Sequence, residues 1–424
     1  MKYTAGYAYV LTEGKRSAMH RALPWIALLV ASLLSSCNDA PSSQAPSVQN
    51  LPAIAGSGSS VPHLARTVAG DVVMSWLEPD EERMALRVAT LRDDAWESPV
   101  TVASGDNWFV NWADFPSVEP IDDTLWAAHW LVKTPGGVYS YNIAVAVSND
   151  AGRTWSVPVT PHDDGTATEH GFVSLFPWQG AIGALWLDGR NMAGHGDSHD
   201  GGMTLRSASI GNDGAISNPQ LVDELVCDCC QTDVTTGKDG PVAVYRNRSD
   251  TEVRDIHVVR AIDGRWQANT AVGDDGWKIN ACPVNGPAIA SSGNTMAVAW
   301  FTAADDDSQL RMAWSSDDGR SFGNPIDVDV DRPIGRTDIE LLDDGSAIVS
   351  WLRQGADGTG EICLRRVSAS GQPGPVQVVA TTGASRSAGF PQMLRHGSGL
   401  VIAWTDVSAD STQVHTARID AAIL

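Results

Sequence analysis

Gly286-Pro287-Ala288-Ile289-Ala290, Met296-Ala297-Val298-Ala299-Trp300, Leu310-Arg311-Met312-Ala313-Trp314 and Ser315-Ser316-Asp317-Asp318-Gly319-Arg320-Ser321-Phe322 follow one another between Gly286 and Pro325. Short apolar runs alternate here with clusters of Gly, Asp and Ser. That pattern predicts three or four antiparallel strands joined by tight turns, a single small sheet. Such a sheet cannot bury both of its apolar faces alone and needs neighbours of its own kind.

The neighbours recur along the chain. Short apolar strands end in an aromatic residue at Trp76, Trp130, Trp186, Tyr245, Trp300, Trp351 and Trp404, with spacings of 54, 56, 59, 55, 51 and 53 residues. Seven anchors at this period in an all-β chain predict a β-propeller with one four-stranded sheet per blade. Seven blades fill the chain beyond the leader; six is the alternative. The anchors themselves read as packing between blades. The last repeat stops near Ile419, after its third strand, so residues near Val48 to Ala55 are expected to supply the missing outer strand and close the ring.

Residues 1–36 stand apart. Ala22 to Leu34 is apolar but too short to span a bilayer. His20 and Arg21 precede it and Leu34-Ser35-Ser36-Cys37 follows. The order of charge, apolar core, small residues and Cys resembles a bacterial lipoprotein signal peptide, which implies cleavage before Cys37 and lipidation of that residue. The membrane is then reached through the lipid anchor only, and the protein resides in the cell envelope, facing the periplasm or the surface. Residues 37–50, rich in Ser, Pro, Ala and Gln, read as a tether, and 51–424 as the propeller. The formal charge is −22. The leader is net basic, so the mature domain is more acidic still, and nucleic acid is excluded as a partner.

Two turns share the form Ser-x-Asp-x-Gly-x-Ser/Thr-aromatic: Ser148 to Trp155, with Asp150, Gly152 and Trp155, and Ser315 to Phe322, with Asp317, Gly319 and Phe322. Both fall between the third and fourth strands of their repeats. Here the chain resembles the Asp-box (BNR) repeat proteins, a group that includes the sialidases. The motif has a local role: the Asp accepts backbone N–H bonds, Gly supplies a positive φ and the aromatic plugs the blade edge. The resemblance further implies that ligands bind on the opposite rim, at the loops entering first strands and the loops joining second to third strands.

On that rim two chemistries compete. Arg190, Arg246, Arg248, Arg254, Arg336 and Arg386 are candidates to bind the carboxylate of an acidic sugar through bidentate, charge-assisted bonds. Asp188 or Asp255 is the candidate acid/base. Sialidase-like enzymes use three arginines, an acid/base Asp and a Tyr nucleophile helped by a Glu. The family's Arg-Ile-Pro motif is absent from the first repeat, and Tyr245 occupies a packing position. The second chemistry is thiol-based. Cys227, Cys229, Cys230 and Cys282 lie at the starts of adjacent blades, with His170, His195 or His199 nearby. They suit a soft metal, Cu(I) or Zn(II), or else Cys282 forms a disulfide with one of the other three. Cys363 reads as a buried free thiol. Gly194 to Gly202 is an acidic loop, either a Ca²⁺-type site or a solvated lid. The sialidase-like reading requires no cofactor. The expected function is the binding, and potentially the hydrolysis, of glycans on one rim. The alternative is a non-enzymatic ligand- or protein-binding scaffold.

Overall fold

The computed structural model describes residues 47–92, 94–193, 201–407 and 411–421. Cys37, the expected signal peptide, most of the tether, His195 and His199 lie outside the described residues, as does most of the Gly194–Gly202 loop. The chain forms a seven-bladed β-propeller. Consecutive blades begin with the strands Ser60–Arg66, Ser117–Pro120, His170–Trp178, Asp233–Thr236, Ala288–Ser292, Pro333–Leu341 and Gln392–His396. Each blade is an antiparallel meander running outward from a central channel.

The second strand of each blade is sandwiched between neighbouring sheets, which explains its unbroken apolar runs. In the fifth blade Met296, Ala297, Val298, Ala299 and Trp300 are all fully buried. The third strand of the same blade, Gln309–Ser315, alternates more closely between buried and partly exposed positions. All seven aromatic anchors are buried. They belong to the apolar cores that fill the interfaces between adjacent blades around the ring. Most of the anchors hand their polar atom to a carboxylate. Trp76 Nε1 donates to Glu78, Trp186 to Asp188, Trp300 to Asp275 and Trp351 to Asp329. The Tyr245 hydroxyl donates to Asp223. A buried indole or phenol thereby keeps a partner.

The ring closes as the strand count requires. Val48–Asn50 pairs antiparallel with the last strand, Val48 opposite Ile419 and Asn50 opposite Ala417. Leu51 N–H continues the ladder to Thr416 O at 2.9 Å. Leu51 and Ala55 then enter the core between the seventh and first blades. Val48–Asn50, counted with the tether from the sequence, is thus part of the propeller.

The two Asp-containing turns lie where expected, after Tyr141–Ser148 and after Gln309–Ser315. Asp150 accepts from Thr154 N at 2.8 Å and from Thr154 Oγ1 at 2.7 Å. Asp317 accepts from Ser321 N at 3.0 Å and Oγ at 2.6 Å. Gly152 and Gly319 adopt φ of 76° and 73°. Trp155 donates to Gly152 O, and Phe322 packs against the core between the fourth and fifth blades. These turns fasten one rim of the ring.

First strands line a central cavity of about 510 Å³. Asp233 and Asp338 lie there and stitch neighbouring blades together. Asp233 accepts from Ile289 N and Asp338 from Met393 N, both at 2.7 Å. Burial pushes each carboxyl up to about 7. Their folded pKa values exceed the unfolded ones, so the stabilising proton is held at low pH and lost as pH rises from about 4 through about 7, costing up to about 1.4 kcal/mol per pH unit per group. Their contribution to the melting temperature should therefore fall between about pH 5 and 7, while His129 and His162, which burial holds low, act in the opposite direction up to the unfolded histidine range. The difference in melting temperature between the parent and an Asp233→Asn, Asp338→Asn variant, in which the other titrating groups cancel, should show that fall; a difference that stays constant between about pH 5 and 7 would show that these carboxyls are ionised throughout.

Candidate functional site

The rim opposite the Asp-containing turns gathers most of the unusual side chains. Asp114 lies in the loop before Ser117–Pro120, Glu169 immediately precedes His170–Trp178, and Tyr141 opens the strand Tyr141–Ser148. Their polar ends meet. Tyr141 Oη lies 2.8 Å from Asp114 Oδ2 and 2.6 Å from Glu169 Oε1. A phenol carries one proton and donates once, so one of the two carboxyl groups must keep its own proton and donate to the phenol oxygen. Burial supplies the cause: it pushes Asp114 up to about 7 and Glu169 up to about 8, the latter helped by the neighbouring charges of Asp114, Asp228 and Cys282. Tyr141 is fully buried, stacked on Phe109 at 4.1 Å between ring centroids. Glu169 is half-buried at the rim.

The local sequence explains how Asp114 is placed. Its Oδ1 accepts from Phe172 N at 2.7 Å. A Cβ on Gly171 would fall 1.9 Å from Asp114 Oδ2, so only glycine admits the carboxylate here.

Two residues before Asp114, Trp112 sits between a phenyl ring and guanidinium groups. Phe390 stacks on it with centroids 6.0 Å apart, Arg336 lies 4.8 Å from its ring centroid and Arg386 5.9 Å. Arg336 donates Nη1 to the carbonyls of Ser385 and Gly389. Neither Arg336 nor Arg386 has a carboxylate partner among the described residues. Burial and the adjacent Arg386 charge bring Arg336 down to about 10. Two guanidiniums, buried Arg336 and exposed Arg386, thus lie over one indole with no carboxylate against them among the described residues.

The other sequence candidates are committed elsewhere. Asp188 is fully buried, accepts from the anchor indole of Trp186 and holds Arg190 through two bonds of 2.7 and 2.8 Å. It occupies the role that Glu78 fills for Trp76 in the first blade. Asp255 accepts the backbone N–H groups of Gly276 and Trp277. Arg246 is buried over the Trp277 ring and donates to the carbonyls of Asn285, Arg254 and Phe301, binding the fourth blade to the fifth. Arg248 pairs with Asp228 and Glu252. Arg254 pairs with Glu252 and donates to Cys227 Sγ at 3.5 Å. The structure thus brings together Arg336 and Arg386, and separately Arg248 and Arg254, but not all six arginines.

The described residues contain no disulfide. Cys227, Cys230 and Cys363 are buried, Cys229 is half-buried and Cys282 is exposed. The expected pairing of Cys282 with one of the other three is not formed; Cys282 lies against Cys229, while the shortest sulfur–sulfur approach is between Cys227 and Cys230. His170 lies apart from the thiols, with His162 stacked on it at 3.8 Å and Asp164 at 3.0 Å.

Asp114 and Tyr141 escaped the sequence reading because they belong to the second blade, whose composition is ordinary. Trp112-Ala113-Asp114 in a first-strand loop was the available signal.

No protein-family model matches the chain, and no curated protein matches it in sequence. Solved structures do match in fold. A protein of unknown function from Dyadobacter fermentans aligns at 14% identity over 88% of this chain and 98% of its own, with a TM-score of 0.54. Polysaccharide lyase Uly1 aligns at 10% identity over 89% and 99%, with a TM-score of 0.50. A Trypanosoma rangeli sialidase aligns at 12% identity over 72% and 54%, with a TM-score of 0.44.

Arg246→Ala should strand three buried carbonyls and cost on the order of 3 kcal/mol in chemical denaturation, whereas exposed Arg386→Ala should leave stability unchanged. Equal stability of the two variants would contradict the structural role of Arg246.

Proposed function

We propose that the protein is an envelope propeller that binds an acidic glycan on the rim bearing Trp112, Arg336 and Arg386, and cleaves it with Glu169 as general acid. The observation that carries this reading is the Tyr141–Asp114–Glu169 cluster, in which the single phenol proton cannot serve both contacts and one carboxyl keeps its own, together with Trp112, two residues before Asp114, which carries an arginine pair without a carboxylate partner among the described residues. The arginine pair supplies bidentate recognition of a carboxylate. A carboxyl held protonated at neutral pH by burial is the form needed to protonate a departing glycosidic oxygen. Tyr141 bridges the two carboxyls and passes a proton between them. A Tyr–Glu pair with a neighbouring Asp also matches the residue types that the Asp-box sialidases use. We further propose that Cys37 carries the lipid that anchors the propeller in the envelope.

Activity should be sought on a panel of sialosides and uronides, read both as released sugar and as the unsaturated product of elimination. Glu169→Gln should abolish turnover while retaining binding, and Arg386→Ala should weaken binding about tenfold or more. With Glu169 acting as acid, kcat/KM should fall as pH rises through about 8. Binding without turnover would leave a lectin-like propeller; absence of binding to every acidic glycan would overturn the proposal. Cys37→Ser should move the protein from the membrane to the soluble fraction and remove incorporation of a fatty-acid probe. Incorporation that survives the substitution would refute the anchor.

A further inference from the structure

Glycan chemistry gives no role to three sulfurs that converge beside it. Cys227, Cys229 and Cys230 lie in the short loop between Ile216–Val226, the outer strand of the third blade, and Asp233–Thr236, the inner strand of the fourth. Their three Sγ atoms all lie within 4.8 Å of one another. For residues this close in sequence, that requires the loop to wrap its side chains around one point. The wrap is fastened from outside: Cys227 N donates to Arg246 O at 3.0 Å, and Gln231 ties the loop to Ala113 O and Gly286 N. Cys227 and Cys230 are each 1% exposed.

We propose that Cys227, Cys229 and Cys230 form a three-thiolate site for a soft monovalent d¹⁰ cation, Cu(I). The donor set is all sulfur, which selects thiophilic metals over Mg²⁺, Ca²⁺ or Mn²⁺. Its number is three. Structural Zn²⁺ takes four ligands, and the fourth available thiol, Cys282, borders Cys229 without joining the group. The surrounding arginines fit the same account. Arg254 donates Nη1 to Cys227 Sγ at 3.5 Å, with its Nη2 held by Glu252. Arg248 is fixed against Asp228, the residue inside the Cys motif. A cuprous tris-thiolate carries two net negative charges, and a positioned guanidinium offsets part of that charge and orients the ligand sulfur. Binding releases the thiol protons to solvent and changes no oxidation state.

The test uses the full-length protein, reduced and kept anaerobic, titrated with Cu(I) from a chelator-buffered stock. One Cu(I) per chain should bind, with a thiolate-to-copper charge-transfer band. Mass spectrometry after alkylation should show Cys227, Cys229 and Cys230 protected by the metal and Cys282 still labelled. This readout needs no variant and so does not depend on mutants folding. Cys282→Ser should retain the copper, Cys227→Ser or Cys230→Ser should lose it, and Arg254→Ala should weaken it about 10–100-fold. A Zn²⁺ complex that out-competes Cu(I) and needs Cys282 would overturn the proposal in favour of a tetrahedral site. A Cys227–Cys230 disulfide trapped directly from cells, with no copper uptake after reduction, would overturn it in favour of a redox or structural bridge.

Discussion

The ring depends on one three-residue ladder. Each interface between blades is a core shared by two sheets, so every blade is half of two cores, and the set is complete only when the seventh blade meets the first. That blade draws three of its strands from the carboxyl end and its outer strand from Val48–Asn50. Leu51 and Ala55 then run directly into the core of the following interface. The same segment removes an open sheet edge and fills the seam. Everything on the rim inherits its geometry from this closure, because Trp112, Glu169, Cys227 and Arg386 come from loops of different blades.

A second constraint follows from packing aromatic anchors at every interface. Tryptophan brings bulk together with an N–H that cannot be buried alone. The chain answers with carboxylates at the anchor ends: Glu78, Asp188, Asp275 and Asp329. Those carboxylates in turn attract arginines, Arg87 to Glu78, Arg190 to Asp188 and Arg311 to Asp275. Much of what looks from composition like a catalytic mixture of Arg and Asp is therefore the polar trim of the packing scheme.

This separates what was legible in the sequence from what was not. The period of the anchors carried the blade number, and the incomplete last repeat carried the closing strand, because both are one-dimensional patterns imposed by a repeated fold. The Asp-containing turns were legible for the same reason, since all their bonds are local. The roles of the arginines were not. Arg246 and Arg336 carry the same side chain on the same rim. One spends its donors on carbonyls of neighbouring strands, and the other keeps donors without a partner among the described residues. Only the paths of chain segments 39 to 55 residues away decide between these fates. In the Asp114–Tyr141–Glu169 cluster the two acids stand one repeat apart at the entries of adjacent blades, but nothing in the repeat marks Tyr141, 27 and 28 residues from them, as the group that joins them. The cysteines fell between these cases: their clustering was visible, while the exclusion of Cys282 from the closest group depends on a backbone bend that spacing does not encode.

The electrostatics of the rim bear on which ligand it can accept. The protein is strongly acidic, so long-range attraction would favour a cation. At short range the charges are distributed differently. Arg336 and Arg386 have no carboxylate partner among the described residues, and burial raises Asp114 and Glu169, on the same rim, to about 7 and about 8. A carboxylate at the arginine pair would meet two guanidiniums with no carboxylate against them among the described residues. Burial of Tyr141 beneath Phe109 thus does more than fill a blade interface. It lowers the local dielectric around two acids and favours their protonated forms. The apolar packing of the second blade thus sets the protonation of these two acids.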